Sequence, residues 1–167
     1  MIAFEPLRRE HLPLLREWLA REHVRRWWHD GGQSLEHAED ALGGRDPTEY
    51  FLIVLDGRPI GMIETYLVAD NPDWGTTIGE GEGAAGLDLL IGETDAIGRG
   101  LGPQILAQFA REVAFARPGT QAVVATVEEP NRRSWRAFEK AGFRHVRDVE
   151  EEGLPHRLMR LERGYAQ

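Results

Sequence analysis

The 167-residue chain contains no cysteine, and this absence excludes several kinds of site at once. Without thiols the chain has no disulfide framework, no thiolate metal ligand and no cysteine nucleophile. Its six histidines are scattered without the spacing that a zinc site requires, so we expect no metal. No run approaches the ~18 apolar residues of a membrane helix, and the N-terminal residues lack the pattern of a signal peptide. We therefore expect a cytoplasmic protein that does not enter a membrane.

Basic residues are scarce relative to acidic ones. The chain has 20 lysines and arginines against 28 aspartates and glutamates, which gives a formal net charge of −8. Proteins that bind duplex nucleic acid normally present a basic face, so nucleic acid is not an expected partner. An acidic protein instead concentrates cationic partners around it. A net charge of this size also serves solubility alone, and both explanations stay open at this point.

The pattern of apolar residues predicts a single domain, residues 1–167, of the mixed α/β class. Two β-rich runs around Asp56-Gly57 predict a hairpin. The glycines, prolines and acidic residues of Ala69–Ala85 predict a loop, and Ser34 is a candidate helix N-cap. The predicted strands are Ile2–Leu7, Tyr50–Leu55, Pro59–Tyr66, Gly86–Ile91, Ala122–Val127, Phe143–Val149 and His156–Glu162, and the predicted helices are Glu10–Glu22, His23–Trp28, Ser34–Leu42, Pro103–Phe115 and Asn131–Ala141.

A glycine-rich stretch, Ile97-Gly98-Arg99-Gly100-Leu101-Gly102-Pro103, lies between a predicted strand and a predicted amphipathic helix. Glycines let backbone N–H groups come close to an anion, and a helix start adds unpaired donors and the positive end of the helix dipole. Such a turn suits a pyrophosphate, although it has neither the Walker-A sequence nor the G-x-G-x-x-G spacing of a dinucleotide site. A tight strand-to-helix turn without a ligand is the alternative.

A second motif follows one strand later, where residues 131–143 read N-R-R-S-W-R-A-F-E-K-A-G-F. With this segment and the glycine stretch in this order and at this separation, the chain resembles the GNAT superfamily of acetyl-CoA-dependent N-acetyltransferases. The resemblance implies a curved mixed α/β sheet of about seven strands, with helices on both faces and a split between strands 4 and 5. It also implies acetyl-CoA as the cosubstrate and no metal.

The same resemblance implies which residues bind acetyl-CoA. The pantetheine arm would lie along the fourth strand like an added strand, and the pyrophosphate would lie on the amides of the glycine stretch. Many members have a tyrosine, thought to protonate the leaving thiolate, where this chain has Phe138. Water or another group then supplies that proton, or the thiolate leaves unassisted. The implied cofactor-binding residues are Leu90, Ile91, Gly98, Arg99, Gly100, Leu101, Gly102, Pro103, Asn131, Ser134 and Phe138.

Three further stretches resemble bacterial aminoglycoside 6′-N-acetyltransferases. Glu17-Trp18-Leu19, followed by Trp27-Trp28, resembles their N-terminal pattern. The segment from Asp56 to Gly61 resembles their central hairpin, and Gly86-Leu87-Asp88 resembles the strand before their cofactor loop. This resemblance implies a cationic small-molecule substrate, acetylated on the 6′-amine of an aminoglycoside.

Asp88 is the candidate general base of such a reaction. An ammonium group must lose a proton before it attacks a thioester, and a carboxylate accepts that proton directly or through one water. The neighbouring leucines would partly desolvate Asp88, and backbone N–H groups near Leu89 or Leu90 would stabilise the developing oxyanion. The alternative is a strand residue that only makes a hydrogen bond.

Other side chains would surround the cationic substrate. Aromatic faces stack on sugar rings and attract ammonium groups, so one of the adjacent tryptophans would wall the cleft while the other is core. Asp73 also fits an Asn-Pro-Asp turn, and Tyr66 fits ordinary packing equally well. The resembled enzymes have an aspartate where this chain has Thr126, and whether Glu128 or Glu129 replaces it stays open. The implied substrate-binding residues are Trp28, Tyr66, Asp73, Asp88 and Glu129.

Two other functions remain open. A related branch acetylates hydroxylysine-type intermediates of siderophore assembly, but its members tend to have a histidine at the position of Asp88. A non-catalytic CoA-binding sensor would fit Phe138 but would leave Asp73 and Asp88 without a purpose. Both a monomer and a homodimer are compatible with the sequence.

Overall fold

Strands and helices alternate along the chain in a computed structural model, which describes residues 1–29 and 32–165. Most of the predicted elements are confirmed with shifts of one or two residues at their ends. The strands are β1 Ile2–Pro6, β2 Glu49–Leu55, β3 Arg58–Leu67, β4 Ala84–Ile91, β5 Ala122–Glu128, β6 Arg144–Glu151 and β7 Leu154–Glu162. The α-helices are α1 Leu12–Ala20, α2 Glu22–Arg25, α3 Gln33–Leu42, α4 Pro72–Ile78, α5 Leu101–Phe109 and α6 Arg132–Lys140.

The strands form one mixed sheet in the order β1-β2-β3-β4-β5-β7-β6. The β1–β2, β2–β3, β5–β7 and β6–β7 pairs are antiparallel, whereas β4 and β5 run parallel. The parallel register joins residues 84–86 to residues 122–124. Strand β4 continues five residues beyond this pairing, to Ile91. The predicted seven-stranded mixed α/β sheet is therefore confirmed.

The chain groups into two compact units, and both are discontinuous in sequence. The first unit consists of Met1–Thr65 and Asp88–Arg99, and the second of Tyr66–Leu87 and Gly100–Gln167. Among the described residues, no helix is long and apolar enough to cross a bilayer.

The core of the first unit surrounds Trp18, which is fully buried. Helix α1 places Leu15 and Trp18 on one buried face, as the helical spacing of its apolar residues predicts. The β2–β3 hairpin supplies the facing layer through a two-residue turn, in which Asp56 and Gly57 have φ values of +49° and +85°. Positive φ at both turn positions matches the right-handed twist of the strands and explains the Asp-Gly pair. The buried cluster contains Leu7, Leu15, Trp18, Val24, Ala38, Tyr50, Leu52, Val54, Met62 and Leu90.

The second unit contains a smaller cluster built on α4 and the strands beside it. Ile78 of α4 is fully buried there, and Trp74 packs against the cluster from the previous helical turn. Arg147 of β6 donates to the carbonyl of Ile78 at 2.6 Å and thereby caps the C-terminal end of α4. The buried members are Val68, Ile78, Ala84, Val124 and Leu158.

Two local predictions are wrong. The segment Ala69–Ala85 is not a loop: it contains α4, a turn and the first residues of β4. Pro72 occupies the first helical position, where its missing N–H costs nothing, and Gly79 ends the helix with φ of +74°. Ser34 is not the N-cap of α3, because the helix begins at Gln33 after Gly32, and Ser34 is buried in its first turn.

Candidate active site

Asp88 lies on β4 in the first unit and is half-buried. Leu87 before it is fully buried, and Leu89 after it is half-buried. A carboxylate in this position is partly shielded from water by its own strand. A carboxylate can accept a proton from a cationic group that it contacts.

Tyr50, which the sequence analysis did not single out, lies near Asp88 and two other acidic residues. Tyr50 is buried on β2 and faces Glu64 across the β2–β3 pair, and its hydroxyl donates a hydrogen bond to the Glu64 carboxylate. Burial raises the pKa of the Tyr50 hydroxyl, and the negative charges of Glu64, Asp46 and Asp88 raise it further. The phenol therefore stays protonated. Three carboxylates around one neutral hydroxyl create a negative potential that attracts an ammonium group.

Beyond β4, a network of charges surrounds Glu93. The indole Nε1 of Trp18 donates to the Glu93 carboxylate at 2.7 Å, and Arg21 and Arg58 pair with it at 3.3 and 3.2 Å. The Trp18 hydrogen bond, followed by these two guanidinium groups, holds the pKa of Glu93 below its ordinary value. Gly92 packs against the Trp18 ring so closely that an added Cβ would lie 2.1 Å from an indole carbon. The chain leaving β4 is therefore fixed by packing and by charge.

The glycine stretch takes a backbone course that requires glycine. Gly98 and Gly100 have φ values of +76° and +72°, and a Cβ built on either would meet nothing within 4 Å. Glycine is therefore required by conformation, and the backbone has open space beside it. Gly100 is the N-cap of α5. The first turn of α5, whose N–H groups have no partner within the helix, comes directly after this exposed backbone.

Helix α6 packs beside the start of α5 within the second unit. A Cβ on Gly102 would lie 3.2 Å from the Cβ of Ala137, so the third glycine permits this close approach. Asn131 is the N-cap of α6, and its carbonyl accepts from the N–H of Ser134 at 3.1 Å. Phe138 is buried and packs edge-on against Phe143, with ring centroids 5.0 Å apart. The two predicted cofactor motifs thus meet through α5 and α6.

The predicted substrate residues fall into separate places. In the second unit, Tyr66 packs edge-on against Trp74 at 5.5 Å, and its ring lies over Gly86, where a Cβ would come within 2.3 Å. Asp73, the residue before Trp74, is exposed in the first turn of α4. In the first unit, Trp28 is half-buried and packs against the core cluster around Trp18.

Glu129 has a strong partner of its own. Arg157 donates to its two carboxylate oxygens at 2.7 and 3.1 Å, and this bidentate pair holds the pKa of Glu129 below its ordinary value. The same guanidinium lies 3.8 Å from the centre of the Trp135 ring. The negative charge of Glu129 is thus already balanced within the protein. In the described part of the chain, no three His, Asp or Glu side chains are grouped so as to hold a metal ion.

Comparison with known protein families shows which family the chain belongs to. Residues 8–151 match the model of the acetyltransferase (GNAT) domain. The chain belongs to the GNAT acetyltransferase family. Enzymes of this family take the acetyl group from acetyl-CoA.

Individual relatives of this GNAT chain are aminoglycoside-modifying enzymes. It is 29% identical over 144 residues to an aminoglycoside N(6′)-acetyltransferase type 1 of Klebsiella pneumoniae, which covers 80% of this chain and 70% of that protein. The crystal structure of aminoglycoside acetyltransferase AAC(6′)-Ib with coenzyme A superposes with a TM-score of 0.81 at 22% identity, covering 99% of this chain and 96% of that one. A complex of AAC(6′)-Ib with coenzyme A and kanamycin gives 0.79 at 24% identity, covering 99% and 96%. The predicted GNAT fold is confirmed.

Proposed function

We propose that this acetyltransferase moves an acetyl group from acetyl-CoA to a primary amine of a cationic small molecule, namely the 6′-amine of an aminoglycoside. The observation that carries the proposal is the half-buried carboxylate of Asp88 on β4, close to the other acids around Tyr50. A polycationic substrate suits this local charge and the net charge of −8. The Klebsiella pneumoniae relative named above is an N(6′)-acetyltransferase by its own name.

The glycine stretch suits the pyrophosphate of acetyl-CoA. Its backbone is open at Gly98 and Gly100, and a Cβ at either position would be far from every other group. The start of α5 adds unpaired N–H donors and the positive end of a helix dipole. The proposed cofactor contacts are Leu90, Ile91, the residues from Gly98 to Pro103, Asn131, Ser134 and Phe138. Of these, Phe138 is buried. Acetyl-CoA supplies an activated thioester carbonyl.

Asp88 is the proposed base of a direct transfer. It accepts a proton from the substrate ammonium, directly or through a water, and the freed amine lone pair attacks the thioester carbonyl carbon. A backbone N–H near Leu89 or Leu90 stabilises the negative charge that develops on the carbonyl oxygen. The carbon–sulfur bond then breaks and the sulfur leaves as a thiolate, while the attacking nitrogen releases its remaining extra proton to water and becomes the neutral amide. Phe138 has no proton to give, so the thiolate takes its proton from water or from another group, or leaves unassisted.

The structural support for the other proposed substrate contacts differs from one to the next. These contacts are Trp28, Tyr66, Asp73 and Glu129. Tyr66 and Asp73 are supported by their neighbourhood, since Tyr66 packs on Trp74 beside Asp73. Trp28 offers only the part of its ring that is not packed on the core. Glu129 would have to share its carboxylate with Arg157.

The test is thiol release from acetyl-CoA with two aminoglycosides that differ only in carrying a 6′-amine or a 6′-hydroxyl. We expect turnover with the amine alone. The Asp88→Asn variant should lower kcat by about 10²- to 10⁴-fold, the usual contribution of a general base, while acetyl-CoA affinity stays within about twofold. Asp40→Asn on α3, which removes a carboxylate paired with Arg45, is the matched control and should leave kcat unchanged. Wild-type turnover by Asp88→Asn would remove Asp88 from the mechanism, and acetylation of hydroxylysine alone would replace the substrate.

A further inference from the structure

Two side chains from the α1–α2 corner bind the carbonyl of the last residue of β4 and the carbonyl of the residue after it. His23 contacts the carbonyl oxygen of Ile91 through Nε2 at 2.9 Å, and Arg21 donates to the carbonyl of Gly92 through a guanidinium nitrogen at 2.7 Å. A carbonyl oxygen only accepts, so the His23 tautomer with hydrogen on Nε2 makes this bond. Both side chains are half-buried in the first unit. A corner that lies 68 and 71 residues earlier in the chain therefore holds the end of the strand that carries Asp88.

The N–H groups at the same place are held as well. The amides of Gly92 and Glu93 both donate to the carbonyl of Ile60, at 2.8 and 3.1 Å. Arg21 is in turn braced by Glu17 at 2.9 Å and by Glu93 at 3.3 Å. The His23, Arg21 and Ile60 hydrogen bonds hold backbone groups, and the two ion pairs hold the Arg21 side chain that makes one of them. The end of β4 is thus defined by hydrogen bonds at consecutive residues.

This bracing lies beyond the part of β4 that pairs with β5, at residues 91–93. Strand β4 pairs with β5 only as far as Gly86 and then runs on to Ile91. Leu90 and Ile91, the proposed contacts of acetyl-CoA, lie in this part of β4, on the side where β5 no longer pairs with it. If acetyl-CoA takes the place of a neighbouring strand there, other contacts must hold the segment in position. His23 and Arg21 do this from the carbonyl groups. Since a displacement of about 1 Å at a reacting group costs on the order of 10²-fold in rate, such bracing has a direct kinetic value.

We propose that His23 and Arg21 are positioning residues, which set the backbone at Leu90 and Ile91 and so align the thioester with Asp88. This inference rests on the proposed function. It assigns to His23 a task in the reaction although His23 touches neither substrate nor base. Removal of the Nε2 donor should free the Ile91 carbonyl and let the end of β4 move.

The experiment compares His23→Leu, which removes the donor, with His23→Gln, whose amide nitrogen reaches the same place. We expect His23→Leu to lower kcat/KM for acetyl-CoA about tenfold and to weaken acetyl-CoA binding in calorimetry. His23→Gln should stay within about twofold of wild type in both. His37→Leu, at an exposed position of α3, is the control and should change neither. Tm is measured for each variant, so that a loss of folded protein is separated from a loss of alignment.

A purely structural role for His23 predicts a different pattern. Both variants would then lower Tm, while kcat/KM and acetyl-CoA affinity per folded molecule would equal those of wild type, and this result would overturn the inference. If the wild type binds acetyl-CoA but acetylates no amine, the proposed function fails. The calorimetric comparison still decides: weaker binding by His23→Leu and not by His23→Gln supports the inference, and equal binding overturns it.

Discussion

A single methyl group added at Gly92 tests the packing of the first unit. Its Cβ would lie 2.1, 2.2 and 2.4 Å from three carbons of the Trp18 indole. Carbon atoms in contact are normally about 3.5–4.0 Å apart, so the ring or the strand end must move by roughly 1.5 Å. Trp18 is fully buried, and its Nε1 is hydrogen-bonded to Glu93. The displacement therefore strains the core and pulls a charge-assisted hydrogen bond apart.

The magnitude follows from these two effects. Overpacking of a well-filled core costs about 1–3 kcal/mol, and a hydrogen bond to a charged group contributes about 1.5–3 kcal/mol. We expect Gly92→Ala to reduce the free energy of unfolding by about 4 kcal/mol, out of a typical 5–15 kcal/mol for a folded domain. At roughly 2–4 °C per kcal/mol for a protein of this size, Tm should fall by about 8–16 °C. Circular dichroism melting curves measure this shift.

Gly81→Ala is the matched control, because a Cβ there meets nothing within 4 Å and its φ is not positive. It should leave Tm unchanged or raise it slightly through the entropy of the unfolded chain. In a Trp18→Leu background, Gly92→Ala should cost much less than in wild type, since the clash and the hydrogen bond are both gone. A Gly92→Ala protein that melts within about 3 °C of Gly81→Ala would refute the close contact.

Two further predictions concern ion pairs. The folded-state pKa of Glu93 lies below its ordinary 4.5, so its ion pair and its indole hydrogen bond stabilise the fold above that pH and are lost as pH falls. Glu93→Gln should therefore lower the urea midpoint at pH 7 and flatten its fall toward pH 3; an unchanged acid slope would contradict this. Arg157→Lys should lose the bidentate bond to Glu129 and the stacking on Trp135, reducing stability by about 1 kcal/mol in urea titrations, whereas a change below about 0.2 kcal/mol would contradict it.

The extent to which sequence predicted this structure differs from place to place. The Asp-Gly turn predicted the hairpin because both positions require φ that few residues adopt. The sequence did not predict that Tyr50 lies opposite Glu64 in the β2–β3 pair. Counting back from a regular turn pairs Tyr50 with Ile63, but a bulge at residues 53–54 shifts the register by one and brings Glu64 opposite. Such a shift turns side chains to the other face of the sheet.

Helix α4 and the His23 contact were missed for different reasons. The polar composition of α4 hid a short helix whose signals were Pro72 at its start, Gly79 at its end, and the apolar pair Trp74 and Ile78. The bond from His23 to the Ile91 carbonyl joins residues 68 positions apart. No local sequence pattern predicts a hydrogen bond between residues so far apart in the chain. By contrast, the turn at the glycine stretch and the place of Asp88 on a strand followed from local pattern, because each is set within its own segment.

The split of the first unit along the chain has a consequence for synthesis on the ribosome. Strands β1, β2 and β3 can pair once residue 67 has emerged. The indole of Trp18 cannot make its hydrogen bond until Glu93, 75 residues later, has been added. At about 5–20 residues per second, the nascent hairpin layer spends roughly 1–5 seconds with its largest aromatic side chain lacking Leu90 and Gly92 as cover. Chains truncated in this interval lack the residues that complete the apolar cluster around Trp18. The first unit thus matures only after the Tyr66–Leu87 segment of the second has been translated.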